Sequence, residues 1–400
     1  MLFTLEALEA KHGDCLLLHF GSGDQHDVIL IDGGPTGVYK TRLRPRLTEL
    51  RNALVKDGDA LPLRAALVSH IDDDHIHGIL ELTKELRSAK EGEANKEKIV
   101  RVEELFHNSF SDLVERVAPP GATAASTDAG MVHLASTGGE FDAATTAGFS
   151  HPMQLVLASV PQGRVLRDDA RFLNIPVNVG FDRQLICAPP GTKLTRDMGH
   201  GLTLTFIGPL AAQLDALQDE WAKWVAKNPD KSGSAAAADF VDNSPYNLSS
   251  IVVLAECGGR NMLLTGDARG DYVIAGLEAA GLKTPTKPYH VDILKMPHHG
   301  SWRNAERVMF EQIVADHYIF SANGRDDNPD EETVKQLYAV RGAGKYALHF
   351  TNATHFDTKA DLPAVVFATH SAPAGVKVEI AGVKRTVPAV VVDLGVPLAV

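Results

Sequence analysis

The sequence predicts an α+β protein whose sheets carry helices outside, and three observations lead there. The first thirty-four residues alternate as a β meander would, in the segments LFTLEAL, CLLLHF and DVILID. Further on, short apolar runs are followed repeatedly by segments of helical period. Four of those runs end in residues with ligand chemistry. The chain of 400 residues is one large domain or two smaller ones, with core enough to fold without staples. Its apolar fraction of 44% and charged fraction of 22% are those of an ordinary soluble globular protein.

Cys15, Cys187 and Cys257 are widely spaced, with no C-x-x-C pair, which suggests a reducing compartment and argues against a disulfide framework. MLFTLEALEA has no basic region of the kind that opens a signal peptide. No apolar run approaches bilayer length. The expectation is therefore a cytoplasmic, soluble protein with no membrane partner. A net charge of −12 counts against sequence-blind binding to a polyanion. It leaves room for a local basic patch, or for a metal that carries the positive charge itself.

Taken in order, Lys11-His12-Gly13-Asp14 reads as the tight turn between the first two strands. Val28–Ile31 is an apolar strand closed by Asp32-Gly33-Gly34; a carboxylate there fits either a residue orienting a metal ligand or a plain turn. Arg42–Lys56 has Leu43, Leu47, Leu50 and Leu54 on one side of a helix. Ala65–Val68 is a buried strand, followed by a helix over Ile76–Leu86 and a charge-rich solvated stretch over Lys84–Lys98. Val100–Phe106 suggests one short strand leading to the polar His107-Asn108-Ser109. Ala118–Ser150 is rich in small residues and reads as an insertion or lid. Gln154–Val160 suggests a helix and Arg183–Ala188 a strand, then Leu202–Ile207 a strand, Ala211–Lys227 a helix and Asn228–Ala238 a linker. Ser249–Ala255 and Met262–Leu264 flank Cys257-Gly258-Gly259 as a hairpin. Val291–Met296 and Tyr318–Ser321 are strands, Glu331–Tyr338 a helix, and Ala364–Val400 a terminal β hairpin or extension.

The stretch AALVSHIDDDHIHG organises the rest. His70, Asp72, Asp74, His75 and His77 fall within eight positions at a strand end entering a helix. Extended backbone puts His70 and Asp72 on one face, and the turn brings Asp74 and His75 from another side. Two imidazoles and two carboxylates suit Zn²⁺, Mn²⁺ or Fe; the bland alternative is a solvated acidic turn. With Asp32, Asp267 and His298-His299, four strand ends carry such chemistry. Sites gather where several strands finish together. Two metals about 3.5–4 Å apart, with Asp267 between them, meet the needs of hydrolysis.

In this order HGDCLLL, ILIDGG, SHIDDDHIHG, NLSSIVVLAECGGRNMLLTGDA, DILKMPHHGS and SANGRDDNPDEETVKQL resemble the metallo-β-lactamase-fold hydrolases. Among them, the chain is most similar to the soluble domain of the ComEC competence protein and its free-standing relatives. The likeness covers the first hundred residues and about 245–340, leaving about 108–240 as an unmatched insertion. It implies an αββα four-layer sandwich over residues 1–360 with a C-terminal β extension over 361–400. It further implies metal ligands at His70, Asp72, Asp74 and His75, a bridging Asp267, and a final histidine from the HHG step, for which His298 is favoured over His299. Asp32 would orient a ligand, and Asp74 would accept the proton of the attacking water. The family's further histidine has no clear counterpart; His107, His200 and Asn247 are the candidates. Asp72 stands where many members have His, which favours Mn²⁺ alongside Zn²⁺. Lys295 and Ser301 are placed to hold a phosphate oxygen, although Lys295 reads equally as a surface charge.

The resulting expectation is a hydrolase with two divalent metals, Zn²⁺ or Mn²⁺, acting through a metal-bound hydroxide. Its substrate would be a phosphodiester, a nucleotide or nucleic acid. Hydrolysis of a lactone, thioester or β-lactam is the alternative, as is a non-catalytic metal-binding regulator. A protein partner would dock through the 108–240 insertion.

Overall fold

The meander forms, and its alternation decides the layering. A computed structural model describes residues 1–56, 58–94, 97–108, 151–182, 185–215, 249–352, 371–372 and 378–395, with backbone alone at 151–161 and 371–372. Strands β1 (Leu2–Leu8), β2 (Leu16–Gly21) and β3 (Asp27–Ile31) pair antiparallel in sequence order. On β2, Leu16, Leu18 and Phe20 face one core while Leu17 faces another; on β3, Ile29 and Ile31 oppose Val28 and Leu30 in the same way. That period of two means the sheet is covered on both faces.

A π-helical turn, Tyr39–Leu43, leads into α1 (Arg44–Leu54), which lies within the span read from the leucines. After β4 (Leu61–Leu63) come β5 (Ala65–Val68) and α2 (Asp73–Lys90). The helix starts earlier and ends later than Ile76–Leu86. Asp73 and Asp74 in its first turn and Arg87 and Lys90 in its last suit the helix dipole. Its charged end is no free loop. Helix α3 (His151–Leu173) packs along it, with Thr83 and Arg87 both bonded to Asp169 and Lys90 bonded to the Phe172 carbonyl. The single strand expected at Val100–Phe106 is two, β6 (Val100–Val102) and β7 (Leu105–His107), separated at Glu103-Glu104. β6 pairs with β4 and β7 with β5.

The second half opens with the antiparallel β8 (Leu194–Gly199) and β9 (Leu202–Gly208). No strand forms over 185–188, where Ala188 makes only an isolated bridge to Leu210. Then β10 (Val252–Cys257) and β11 (Arg260–Leu264) make the expected hairpin, with Cys257 opposite Arg260. Next come α4 (Gly270–Ala279), β12 (Tyr289–Lys295), α5 (Arg307–Gln312), β13 (Ile313–Phe320), α6 (Glu331–Arg341) and β14 (Ala347–Phe350). They are followed by β15 (Ser371–Ala372), the hairpin β16 (Glu379–Ile380) and β17 (Val383–Lys384), and β18 (Ala389–Asp393).

One sheet runs β18-β1-β2-β3-β5-β7 and the other β15-β14-β13-β12-β11-β10-β9-β8. An apolar layer joins their inner faces, a second lies under α1, α2 and α3, and a third under α4, α5 and α6. This is an α+β sandwich of four layers, αββα. The C-terminal extension adds β18 to the edge of the first sheet, against β1. The inserted Ala118–Ser150, the linker at Asn228–Ala238, most of the helix read at Ala211–Lys227, and Asn247 lie outside the described residues. Among the described residues no helix is long and apolar enough to cross a membrane.

What positions the site is the parallel part of each sheet. β3, β5 and β7 run parallel, as do β11, β12, β13 and β14. Their carboxyl ends therefore deliver Asp32, His70, Asp267, His298-His299 and Ser321 to one rim, where α/β sheets gather ligand chemistry.

Candidate metal centre

Asp72 occupies the N-cap position of α2, yet its side chain caps nothing. A carboxylate there ordinarily accepts from the first turn; this one is turned to His70, 3.4 Å from its Nε2. Two residues on, Asp74 lies 3.2 Å from His299 Nε2 and 3.9 Å from His75 Nε2. Asp267 stands between the two groups. Its Oδ1 is 3.2 Å from His75 Nε2, and its Oδ2 is 3.7, 3.5 and 3.8 Å from the Nε2 atoms of His70, His299 and His298.

The histidines are held from behind. Asp32, at a left-handed φ of 55°, takes His75 Nδ1–H on Oδ2 at 2.9 Å and the Ser69 amide and hydroxyl at 2.8 and 2.7 Å. With its own proton given to Asp32, the Ser69 hydroxyl accepts from His70 Nδ1 at 3.0 Å. His299 Nδ1 donates to the Ser321 carbonyl at 2.9 Å. Each ring therefore turns Nδ1 to a fixed partner behind it and Nε2 inward, the arrangement of metal-binding histidines.

Sequence reasoning left one residue of this cluster in a turn. Asp14, of the HGD turn, is buried beneath the rings, 3.7 Å from Nδ1 of both His75 and His299. The HGD turn packs on the metal loop so closely that a Cβ at Gly13 would lie 2.0 Å from the Asp74 carbonyl. HGDCLLL carried the signal, but a carboxylate beside a glycine in a short loop does not differ locally from any turn. Asp14, His75, Asp267 and His299 each offer an atom within 4.8 Å of the others. Asp14, however, lies on the Nδ1 side and is ion-paired with Lys295, so it supports the ligands from behind.

Three expectations change. Lys295 is 1% exposed and paired with Asp14, so it lies under the site as a buried charge. Its strand alternation put it inside, where an ammonium must be paired. The histidine that meets Asp74 and His75 is His299, which is buried; His298, the favoured one, is its partly exposed neighbour. His200 sits in the β8–β9 turn on Asp27, at the opposite end of β3 from Asp32. His107 ends β7 opposite Val68. His77 pairs with Asp73, which also accepts from Gln162 of α3, and His349 with His317 on the second sheet.

The electrostatics ask for a cation. Five carboxylates (Asp14, Asp32, Asp72, Asp74 and Asp267) gather around one permanent buried cation, Lys295. Burial alone would raise the Asp267 carboxyl, but His299, His75, His298 and His70 outweigh it and hold it well below the usual range. Burial likewise opposes and His75 and His299 prevail at Asp74, which is also held low. Conversely, burial would lower His75, whereas Asp267, Asp32 and Asp74 raise it well above its ordinary value. For His299 burial is outweighed by Asp267 and Asp14, which push it up to about 9. Without a metal these protons balance the carboxylates. Among the described residues, His70 Nε2, Asp72 Oδ1 and Asp267 Oδ1 are buried with no hydrogen-bond partner. Such orphans are rare unless something else satisfies them. The donor set of imidazole nitrogen and carboxylate oxygen fits Zn²⁺ or Mn²⁺.

Residues 10–152 match the family model described as the metallo-beta-lactamase superfamily. No curated protein matches the chain. That match together with the His/Asp cluster supports a metal-dependent hydrolase.

Proposed function

We propose that this protein is a two-metal phosphodiesterase acting on a nucleotide or nucleic acid. The observation that carries the reading is the split of the cluster into two ligand groups joined at Asp267. His70 and Asp72 form one, and Asp74, His75 and His299 the other. Paired metals in such a site supply Lewis acidity to both oxygens of an in-line displacement and lower the pKa of water to about 7.

The chain's own residues do the rest. Asp32, Ser69 and the Ser321 carbonyl fix the imidazole tautomers. Asp74, with its carboxyl held so low, suits a ligand better than the proton acceptor expected of it. With Lys295 buried against Asp14, a different cation serves the phosphate. Arg325 sets Nη1 3.1 Å from His12 Nε2, and the field at His12 is set, after burial, by Asp74, Arg325 and His299. A guanidinium on that rim matches a phosphate's paired oxygens. The motif order shared with ComEC-like chains favours the same substrate class. The net charge of −12 instead favours a small ester, lactone or thioester, which is the second reading.

The test is hydrolysis of bis(p-nitrophenyl) phosphate by protein reconstituted with Mn²⁺ or Zn²⁺, beside Asp74→Asn. Turnover is expected in the wild type, with a loss of at least a hundredfold in the variant. Absence of turnover with either metal, in folded protein, sinks the reading and moves the lactone and thioester panel forward.

A further inference from the structure

The two ligand groups are unequal. Asp74, His75, His299 and the shared Asp267 make four donors, whereas His70, Asp72 and Asp267 make three. Protein zinc sites favour four-fold coordination, with a solvent position kept open in catalysis. We infer that His298 is the missing donor, and that the adjacent histidines of the HHG step divide between the two metals, His299 on one side and His298 on the other. The inference rests on the two-metal reading above.

Three observations converge on it. First, His298 Nε2 lies 3.8 Å from Asp267 Oδ2, the same oxygen that lies 3.7 Å from His70 Nε2. Two acceptor atoms facing one carboxylate oxygen at that separation leave the room a cation takes. Secondly, the ring is held as the other three are. Its Nδ1 meets Asn304 Oδ1 at 3.0 Å, and the same amide donates through Nδ2 to the Asp267 carbonyl at 3.0 Å. That second bond fixes which end of the amide is the acceptor, so Nδ1 of His298 carries the proton and Nε2 the lone pair. Asn304 is itself buried and ties the new ligand to the bridging residue. Thirdly, the backbone is forced. His298 and His299 have φ of 45° and 57° in succession, a left-handed conformation that non-glycine residues rarely adopt. Strain of this kind persists where the surrounding structure insists on it. Here it lets neighbouring residues serve the same carboxylate, with Gly300 continuing the turn at φ 90°.

Metal stoichiometry tests this independently of turnover. Chelator-stripped full-length protein is titrated with Zn²⁺ or Mn²⁺, and bound metal is measured by equilibrium dialysis and elemental analysis. Wild type is expected to bind two equivalents. His298→Asn, which tolerates the left-handed backbone, is expected to keep one equivalent and to weaken the second more than tenfold. Asn304→Ala, which leaves the ring in place but loosens it, should weaken the same equivalent by about 10–100-fold. Two equivalents at unchanged affinity in both variants would overturn the inference, as would fewer than two in the wild type. If two equivalents bind and His298→Asn loses one, yet no phosphodiester is cleaved, the proposed substrate falls and this assignment stands.

Discussion

Replacing Lys295 by methionine separates a supporting role from a substrate-binding one. Lys295 and Asp14 are both 1% exposed and paired with each other. Methionine keeps most of the stem's volume, so little cavity is created. What remains is an aspartate that is buried and has lost its cation. Removing one member of a buried pair typically costs about 3–5 kcal/mol. Here the lower end is expected, because His75 and His299 lie 3.7 Å away through Nδ1 and offset part of the charge. Against a stability of about 5–15 kcal/mol for a domain, the variant stays folded but is clearly weakened. The assay is urea unfolding at pH 7 of chelator-treated wild type, Lys295→Met, Asp14→Asn and the double variant. Removing the carboxylate's charge as well should recover about 2 kcal/mol, as expected for coupled residues in contact. A Lys295→Met protein as stable as wild type to within about 0.5 kcal/mol, with lost turnover, would refute the reasoning and return the ammonium to the substrate.

Two further outcomes follow from local geometry. A Cβ on Gly78 would sit 2.0 Å from the Gly33 carbonyl, backbone against backbone, so Gly78→Ala should cost about 1–3 kcal/mol. It should also loosen metal binding in dialysis, since Gly33 adjoins Asp32; a melting temperature equal to wild type would count against this packing. His349 is lowered to about 4 by burial and then by His317. Its neutral form is thus favoured in the fold, so its contribution is complete above pH 6.5 and is lost as pH falls from 6.5 towards 4. At 1.36 kcal/mol per unit this is at most about 3 kcal/mol. His349→Leu should therefore lose about 2 kcal/mol less than wild type between pH 7 and 4.5 in urea midpoints, and equal losses would refute it.

Alternation, apolar runs and turn residues by themselves determined the meander, the β10–β11 hairpin, the strands that end at the metal loop and most ligand-type residues. These are local signals: a period of two or 3.6, and ligand chemistry concentrated within eight positions. The fate of the charged end of α2 was not local. It reads as solvated loop until α3 lies on it and Asp169 takes Thr83 and Arg87. Asp14 and Lys295 illustrate the same limit, since each looks ordinary until strands 281 positions apart bring them together. His298 and His299 are chemically identical neighbours in the sequence. Only the left-handed turn after β12, and what lies behind each ring, decides which one reaches Asp74. Composition and period report how a residue meets solvent or core. Which two polar groups meet inside is set by the docking of one sheet on the other, and that is where the tertiary structure alone decided this site.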